Sequence, residues 1–152
     1  MARLFGYHLT WTTYGSWLQG DNRGYVKNGK TLDGDESLLK LCKEQQTSPA
    51  FLLGNYERKL VEIMILNEAK RIGHIIEAIA GNPNHVHLAA RRCSKSIETV
   101  VSMYKSAATR ALRRQGRTGK IWTAGFYKTF CFTPDELAVK VKYIHKHLTV
   151  TG

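Results

Sequence analysis

The sequence has few cysteines and no long apolar run, and both absences narrow the classes of protein that it can encode. Cys42, Cys93 and Cys131 are scattered along 152 residues, and no two of them form a CxxC pair. They predict neither a disulfide framework nor a cysteine-based metal knuckle, and they suit a reducing compartment. No apolar stretch approaches the ~20 residues that a membrane-spanning helix needs, and the first residues contain no extended apolar segment of a secretory signal. We therefore expect a cytoplasmic protein.

Acidic residues are also scarce. The chain has 12 Asp and Glu against 23 Lys and Arg, which gives a formal net charge of +11. The excess is unevenly placed, because residues 1–90 hold ten basic and nine acidic side chains whereas residues 91–152 hold thirteen and three. Such asymmetry favours a polyanionic partner, above all nucleic acid. Charge alone does not distinguish a binding protein from an enzyme.

The length and the 43% hydrophobic content are typical of one globular domain, and we expect a single domain over residues 1–152. Period-two alternation predicts strands over residues 4–14, 74–80, 84–91 and 121–132, and helical spacing predicts helices over 56–72, 96–115 and from 133 onward. Residues 15–55 are predicted to be a glycine-rich insert, with a short helix at Ser37–Gln46. The order β-α-β-β-α-β-α predicts an α+β fold of the ferredoxin-like, split βαβ type: an antiparallel sheet with two helices on one face and an extra C-terminal helix.

The sharpest local motif is the segment Asn82–Leu88, which contains His85 and His87. Residues two apart in a strand share a face, so both imidazoles are expected to point the same way, while Val86 and Leu88 point toward the helices. Two histidines side by side on the open face of a sheet can hold one divalent metal ion. A pair of solvated surface histidines has the same spacing, so the motif alone leaves both interpretations open.

The last predicted helix carries a second candidate pair. Leu137, Val141 and Ile144 form its apolar stripe, whereas Tyr143 and His147 lie one turn apart on another face. A third imidazole beside a tyrosine hydroxyl would complete a metal site that also contains a nucleophile. The alternative is a packing tyrosine and a histidine stabilised by the helix C-terminus.

Together these motifs resemble those of the single-tyrosine HUH transposases, the insertion-sequence and REP-associated tyrosine transposases. Asn82–Leu88 is similar to the histidine-hydrophobe-histidine motif, and Tyr143 followed by His147 is similar to the helix that carries the nucleophile and a further metal ligand. The early segment Trp11–Gly24 also resembles segments of small members. Many members have an amide side chain where this chain has His147. The resemblance therefore leaves the metal open among magnesium, manganese and zinc.

The resemblance implies a metal-dependent single-strand DNA endonuclease and strand transferase. Tyr143 would be the nucleophile, and His85, His87 and His147 would hold the divalent ion. The expected product is a 5′-phosphotyrosine that a second strand end can resolve, so strands are exchanged. The expected partner is single-stranded or hairpin DNA in a prokaryotic cytoplasm. A homodimer is a further expectation. The resemblance leaves open whether Tyr143 acts in cis or in trans.

Basic residues of the second helix and its surroundings are the candidate DNA-binding set, since Lys and Arg contacts to phosphates supply affinity. Two rival interpretations remain: a domesticated hairpin-binding protein without catalysis, and a small metallo-phosphoesterase that uses the histidine pair without Tyr143. The nine basic candidates are Arg91, Arg92, Lys95, Lys105, Arg110, Arg113, Arg114, Arg117 and Lys120.

Two other patterns are expected to be structural. Residues 24–31 match the phosphate-loop pattern GxxxxGK[ST], but no buried strand precedes them and Asp33-Gly34 would end a following helix. Tyr104 falls in the apolar stripe of the second helix, and Tyr127 lies in a predicted strand beside Phe126. We therefore expect both tyrosines to pack in the core.

Overall fold

The structure, a computed structural model, describes residues 3–16, 25–27, 30–32 and 50–151, and it describes the backbone alone for residues 25–27, 30–32 and 147–151. The predicted helix at Ser37–Gln46 lies outside these ranges. The strands within them are β1 (Gly6–Thr12), β2 (Tyr25–Lys27), β3 (Lys30–Leu32), β4 (Ile76–Gly81), β5 (His85–Arg91) and β6 (Tyr127–Cys131). The helices are α1 (Asn55–Ile72), α2 (Ile97–Arg114) and α3 (Pro134–Thr151).

Four of the strands form one antiparallel sheet with the order β4-β5-β1-β6. With α1 and α2 as the two crossovers, this is the strand order of a ferredoxin-like fold, so the predicted fold class is confirmed. The central pair β1 and β5 aligns Thr10 with His87 and Thr12 with His85. Directly paired residues share a face, so these four side chains lie on the same side of the sheet.

The two faces of the sheet are covered by different helices. Alternate apolar residues of β1 and β5, such as Leu9 and Leu88, pack with residues of α1 and α2 in the larger core. The opposite face carries small residues such as Ala89, and Leu137 and Ile144 of α3 pack on them. The expectation of an open face around the histidine pair is therefore wrong, because α3 lies across it and leaves His87 only 2% exposed.

Local sequence signals explain where the helices begin. Ser96 precedes α2, and its hydroxyl accepts a hydrogen bond from the Thr99 amide at 3.2 Å. Thr133 and Glu136 form a reciprocal capping box at the start of α3, with amide-to-side-chain distances of 3.0 and 3.1 Å. The end of the chain that carries Tyr143 is thus fixed as a helix from its first turn.

The remaining predicted boundaries shift by a few residues. The N-cap of α1 is Gly54 and not Asn55, because the Glu57 carboxylate accepts the Gly54 amide at 2.9 Å. The last strand begins at Tyr127, since residue Trp122 forms only an isolated bridge with Thr13.

Part of the phosphate-loop pattern forms the antiparallel pair β2 and β3, with residues 30–32 in a strand, so no helix opens there.

Gly6 permits the close approach of β1 to its neighbours. A Cβ atom at this position would lie 2.4 Å from the Ala90 carbonyl oxygen and 3.2 Å from Leu137 of α3. We expect Gly6→Ala to lower the free energy of unfolding by about 1–3 kcal/mol, because backbone cannot yield as a flexible side chain does. Urea denaturation measures the change. Gly54→Ala is the control, since its Cβ would meet only the Glu57 side chain at 3.5 Å. Equal stabilities of the two variants would contradict the expectation.

Candidate functional site

The turn before β5 is held on several sides, and it fixes His85. The Asn82 amide donates to the His85 carbonyl at 2.8 Å, and the Thr13 amide donates to the Asn84 carbonyl at 2.9 Å. From α1, Arg58 Nε donates to the Gly81 carbonyl at 2.8 Å. These three hydrogen bonds thus help to determine where the first histidine of the pair stands.

Side chains of the same turn also orient the His85 ring. Its Nδ1 lies 2.8 Å from Asn84 Oδ1, and its Nε2 lies 3.2 Å from Asn82 Nδ2. The amide oxygen can only accept and the amide nitrogen can only donate, so His85 carries its proton on Nδ1 and a lone pair on Nε2. This is the tautomer that ligates metals through Nε2.

His87 and Tyr143 meet between β5 and α3. Their ring centroids are 6.0 Å apart and the rings are nearly perpendicular, while His85 and His87 have centroids 5.2 Å apart. Tyr143 is 45% exposed, whereas His87 is buried. The predicted histidine pair and the predicted tyrosine, 56 or more residues apart in sequence, therefore lie together in one chain.

A third imidazole at this place was not predicted. His8 of β1 has its Nε2 3.4 Å from His87 Nδ1, and its ring centroid is 6.0 Å from that of Tyr143. Sequence alternation puts Gly6, His8, Thr10 and Thr12 on one face of β1, opposite Tyr7, Leu9 and Trp11. That polar face was the available signal, but only the pairing of β1 with β5 shows that it meets the histidine pair.

His147 follows Tyr143 by four residues of α3, which places its Cα about 6 Å farther along the helix axis. Its side chain lies outside the described part of the chain. Among the side chains that are described, no three or more His, Cys, Asp and Glu are grouped so that they could hold a metal ion. The described site therefore supplies the His85 and His87 pair, and His147 as a third ligand stays a prediction.

Tyr104 and Tyr7 lie on the other face of the sheet, around His74. Tyr104 is fully buried, with its hydroxyl against His74 Nδ1, and burial raises its pKa well above the usual range of a phenol. Tyr7 contacts His74 Nε2 at 3.0 Å, and burial raises its pKa in the same way. Burial also lowers the pKa of His74, so this cluster favours neutral groups. The expectation that Tyr104 and Tyr127 are buried is confirmed. Tyr127, however, pairs with Thr10 of β1 and so shares the sheet face of His87, on which α3 lies.

The basic candidates occupy three places. Arg110, Arg113 and Arg114 are exposed on α2, which lies on the sheet face opposite Tyr143. Arg117 and Lys120 follow at the end of the sheet near His85, where Arg117 also pairs with Glu57 at 3.2 Å and Lys120 lies over the Tyr14 ring. Arg91, Arg92 and Lys95 are exposed at and just after the C-terminal end of β5. Arg91 lies about 13 Å along the strand from His87.

Lys105 differs from the other basic candidates. Its ammonium donates hydrogen bonds to the carbonyls of Thr123 and Gly125 at 3.0 and 2.8 Å. Burial lowers the pKa of Lys105 from the ordinary 10.5 to about 8. These contacts fix the loop before β6, so Lys105 is not carried into the proposed DNA-binding set.

The lowered pKa of Lys105 has a consequence for stability. Between pH of about 8 and 10.5 the unfolded chain binds the proton and the folded chain does not, so the free energy of unfolding rises with pH in this window. Urea denaturation from about pH 7 to 10 measures it. In Lys105→Met this rise should be absent. An identical pH dependence in the variant and the unmodified protein would contradict a lowered pKa.

The fold and the site together define a small α+β protein of ferredoxin-like topology in which a histidine pair on a central strand faces a helical tyrosine. The chain belongs to the family of IS200-like transposases, whose family model matches residues 49–147. The resemblance that the motifs indicated is thereby confirmed. No curated protein sequence shows a significant match.

Two solved structures share the fold. One is a REP-associated tyrosine transposase bound to a REP hairpin, with 13% identity, a TM-score of 0.56 and coverage of 100% of this chain and 72% of the other. The other is a candidate transposase from Deinococcus radiodurans, with 17% identity, a TM-score of 0.50 and coverage of 96% and 92%. Among the described residues, no helix is long and apolar enough to cross a membrane.

Proposed function

We propose that this transposase-family protein cleaves and rejoins single-stranded DNA with Tyr143 as the nucleophile. The observation that carries the proposal is the 6.0 Å between the ring centroids of Tyr143 and His87 within one chain. A half-exposed phenol beside a metal-competent imidazole pair is the arrangement that nucleophilic attack on a phosphodiester requires. The proximity of the two groups within one chain supports action of Tyr143 in cis as part of this proposal.

DNA that contains a hairpin and a single-stranded flank is the proposed substrate. The similar structure that holds a REP hairpin supports this class of ligand, and the basic C-terminal part of the chain supplies the complementary charge. Arg110, Arg113 and Arg114 lie on the far face of the sheet from Tyr143. The DNA would therefore pass around the end of the sheet near Lys120 to reach both surfaces.

The residues present fit a divalent metal ion. His85 has its Nδ1 proton bound to Asn84, and His87 has its Nδ1 beside His8, so each ring can turn its Nε2 to a metal once the Asn82 amide leaves His85 Nε2. His85, His87 and the imidazole of His147 would hold the ion, with magnesium or manganese favoured and zinc the alternative. When bound, the ion would polarise the scissile phosphodiester and neutralise its developing charge.

The cleavage step needs no reactant besides the tyrosine, the DNA and solvent. The Tyr143 hydroxyl gives its proton to solvent, and its oxygen forms a bond to phosphorus as the bond from phosphorus to the 3′-oxygen breaks. That oxygen takes up a proton and leaves as a 3′-hydroxyl, while the 5′-phosphate stays on the tyrosine. Since the phosphodiester is retained as a phosphotyrosine, attack by another 3′-hydroxyl reverses the step and joins a new strand without ATP.

Incubation with hairpin-bearing single strands and Mg²⁺ or Mn²⁺ tests the proposal. We expect nicked DNA and a protein–DNA adduct that resists denaturation. Hairpin binding without nicking in either metal would instead support a domesticated binding protein. Turnover of small phosphoesters without an adduct would support a metallo-phosphoesterase that works without Tyr143.

The exposed arginines of α2 are expected to bind phosphates. Replacing both Arg113 and Arg114 by Gln should weaken binding of different DNA sequences to a similar extent and reduce the slope of log affinity against log salt by about 1–2. Fluorescence anisotropy at several salt concentrations measures the slope. The control is Lys70→Gln, which removes an exposed charge from the last turn of α1 and should leave the slope unchanged. An unchanged slope in the double variant would remove these arginines from the DNA-binding surface.

A further inference from the structure

His8 is a buried polar residue in the middle of the sheet. It is only 2% exposed, and it lies on the same face of β1 as Thr10, which pairs directly with His87. A buried imidazole costs free energy unless its nitrogens are hydrogen-bonded, so its contacts indicate what it does. Those contacts are to the site just described.

Two members of that site meet the His8 ring. His8 Nε2 lies 3.4 Å from His87 Nδ1, with ring centroids 5.6 Å apart and an interplanar angle of 61°. The Tyr143 ring lies edge-on, at a centroid distance of 6.0 Å and an angle of 76°. The rings of His8, His87 and Tyr143 therefore form a triangle in which each contacts the other two.

The neighbouring histidine shows which tautomer the pair uses. His85 donates its Nδ1 proton to Asn84 and keeps a lone pair on Nε2. His87 can present Nε2 in the same way only if its proton is on Nδ1, and His8 Nε2 lies 3.4 Å from that atom. The nitrogen of His8 would then accept, as Asn84 Oδ1 does for His85. A partner of this kind fixes both the tautomer and the ring orientation of a metal-binding histidine.

We propose that His8 is a positioning residue, which accepts the Nδ1 proton of His87, directs its Nε2 toward the metal and the phosphodiester, and holds the Tyr143 ring beside it. The inference rests on the proposed function for the use of the site. The tautomer of His87, however, can be measured without metal or DNA. His8 itself has its Nε2 directed at His87, so it acts through that residue and is not assigned as a ligand.

Two amide substitutions separate this role from simple packing. In His8→Gln the amide reaches the position of the imidazole Nε2, whereas in His8→Asn it ends near the position of Nδ1 and falls short of His87. Both variants are polar and uncharged. A packing role predicts that they differ in stability at most, in the order of lost volume, with no change in the tautomer of His87, whereas the positioning role predicts a change of tautomer in His8→Asn alone. Thermal melts of each variant establish that it is folded.

Long-range ¹H–¹⁵N spectra of the imidazoles in the metal-free protein at about pH 8, where ordinary histidines are neutral, report the tautomer of each ring. We expect His87 to carry its proton on Nδ1 in the unmodified protein and in His8→Gln, and to shift toward Nε2 in His8→Asn. The proposal would be overturned if His87 carried its proton mainly on Nε2 in the unmodified protein, or if its tautomer were the same in all three proteins.

Mn²⁺ titration by calorimetry gives a second readout. We expect His8→Asn to bind Mn²⁺ about 10–100-fold more weakly and to lose a similar factor in kcat with KM for DNA little changed, with His8→Gln restoring most of both. Equal Mn²⁺ affinity in His8→Asn and the unmodified protein would overturn the role of His8. If the unmodified protein does not bind Mn²⁺ or cleave DNA, the proposed function fails, while the tautomer measurement still decides whether His8 sets the His87 proton.

Discussion

Tyr143→Phe is expected to abolish DNA nicking and adduct formation while the protein stays folded. The substitution removes one hydroxyl from a ring that is 45% exposed, and the ring contacts with His8 and His87 remain possible. Without the oxygen no bond to phosphorus can form, so the loss should be complete within detection and not a partial fall. Denaturing gels of labelled hairpin substrates measure both products, and thermal melts check the fold.

Two other tyrosine substitutions serve as controls for Tyr143→Phe. Tyr56→Phe changes an exposed tyrosine of α1, 66% exposed, and should leave adduct formation unchanged. Tyr104→Phe leaves His74 Nδ1 without its buried hydroxyl partner, so we expect it to destabilise the fold by about 1–3 kcal/mol but to keep cleavage. Adducts that persist in Tyr143→Phe, or disappear only in Tyr104→Phe, would contradict the assignment of the nucleophile.

His87→Ala is expected to remove metal-dependent cleavage. Its loss of activity should exceed the ~10–100-fold that removal of a residue hydrogen-bonded to a metal ligand costs. The substitution deletes the member of the histidine pair whose ring contacts Tyr143, and His85 alone cannot hold a divalent ion. Mn²⁺ calorimetry and nicking assays measure the two effects. EDTA should abolish nicking by the unmodified protein, and added Mn²⁺ should restore it.

Histidines on α3 provide the comparison. His145 is exposed, so His145→Ala should keep both Mn²⁺ affinity and cleavage. His147→Ala should behave like His87→Ala if its imidazole is the third ligand. Full Mn²⁺ affinity in His87→Ala, with the protein folded, would show that the metal site lies elsewhere.

Much of the site could be predicted because its parts are local. A period of two sets His85 and His87 on one face, and the turn at residues 82–84 sets where β5 begins. The Thr133 and Glu136 capping box fixes the start of α3, and helical spacing sets Tyr143 and His147 one turn apart on one face of it. These are short-range rules, and the structure follows them.

The rest depends on contacts that no short-range rule supplies. His8 and His87 are 79 residues apart, and they meet only because β1 lies next to β5 in the sheet. The side of the sheet that α3 covers is set by small residues on β4 and β5, such as Ala78 and Ala89, which leave room for Leu137. Lys105 is one residue from the apolar stripe of α2, and its aliphatic stem takes the ammonium inward to the loop carbonyls.

Mass spectrometry of the adduct between protein and DNA identifies the attacking residue itself. After nuclease and trypsin digestion, cleavage at Lys142 and Lys146 leaves the short peptide Tyr143–Lys146. We expect this peptide to carry the 5′-phosphate of the cleaved strand on the tyrosine oxygen, and only when Mg²⁺ or Mn²⁺ is present. A phosphate linked to any other residue, such as Tyr127 in its separate tryptic peptide, or nicking with no covalent adduct, would contradict Tyr143 as the nucleophile.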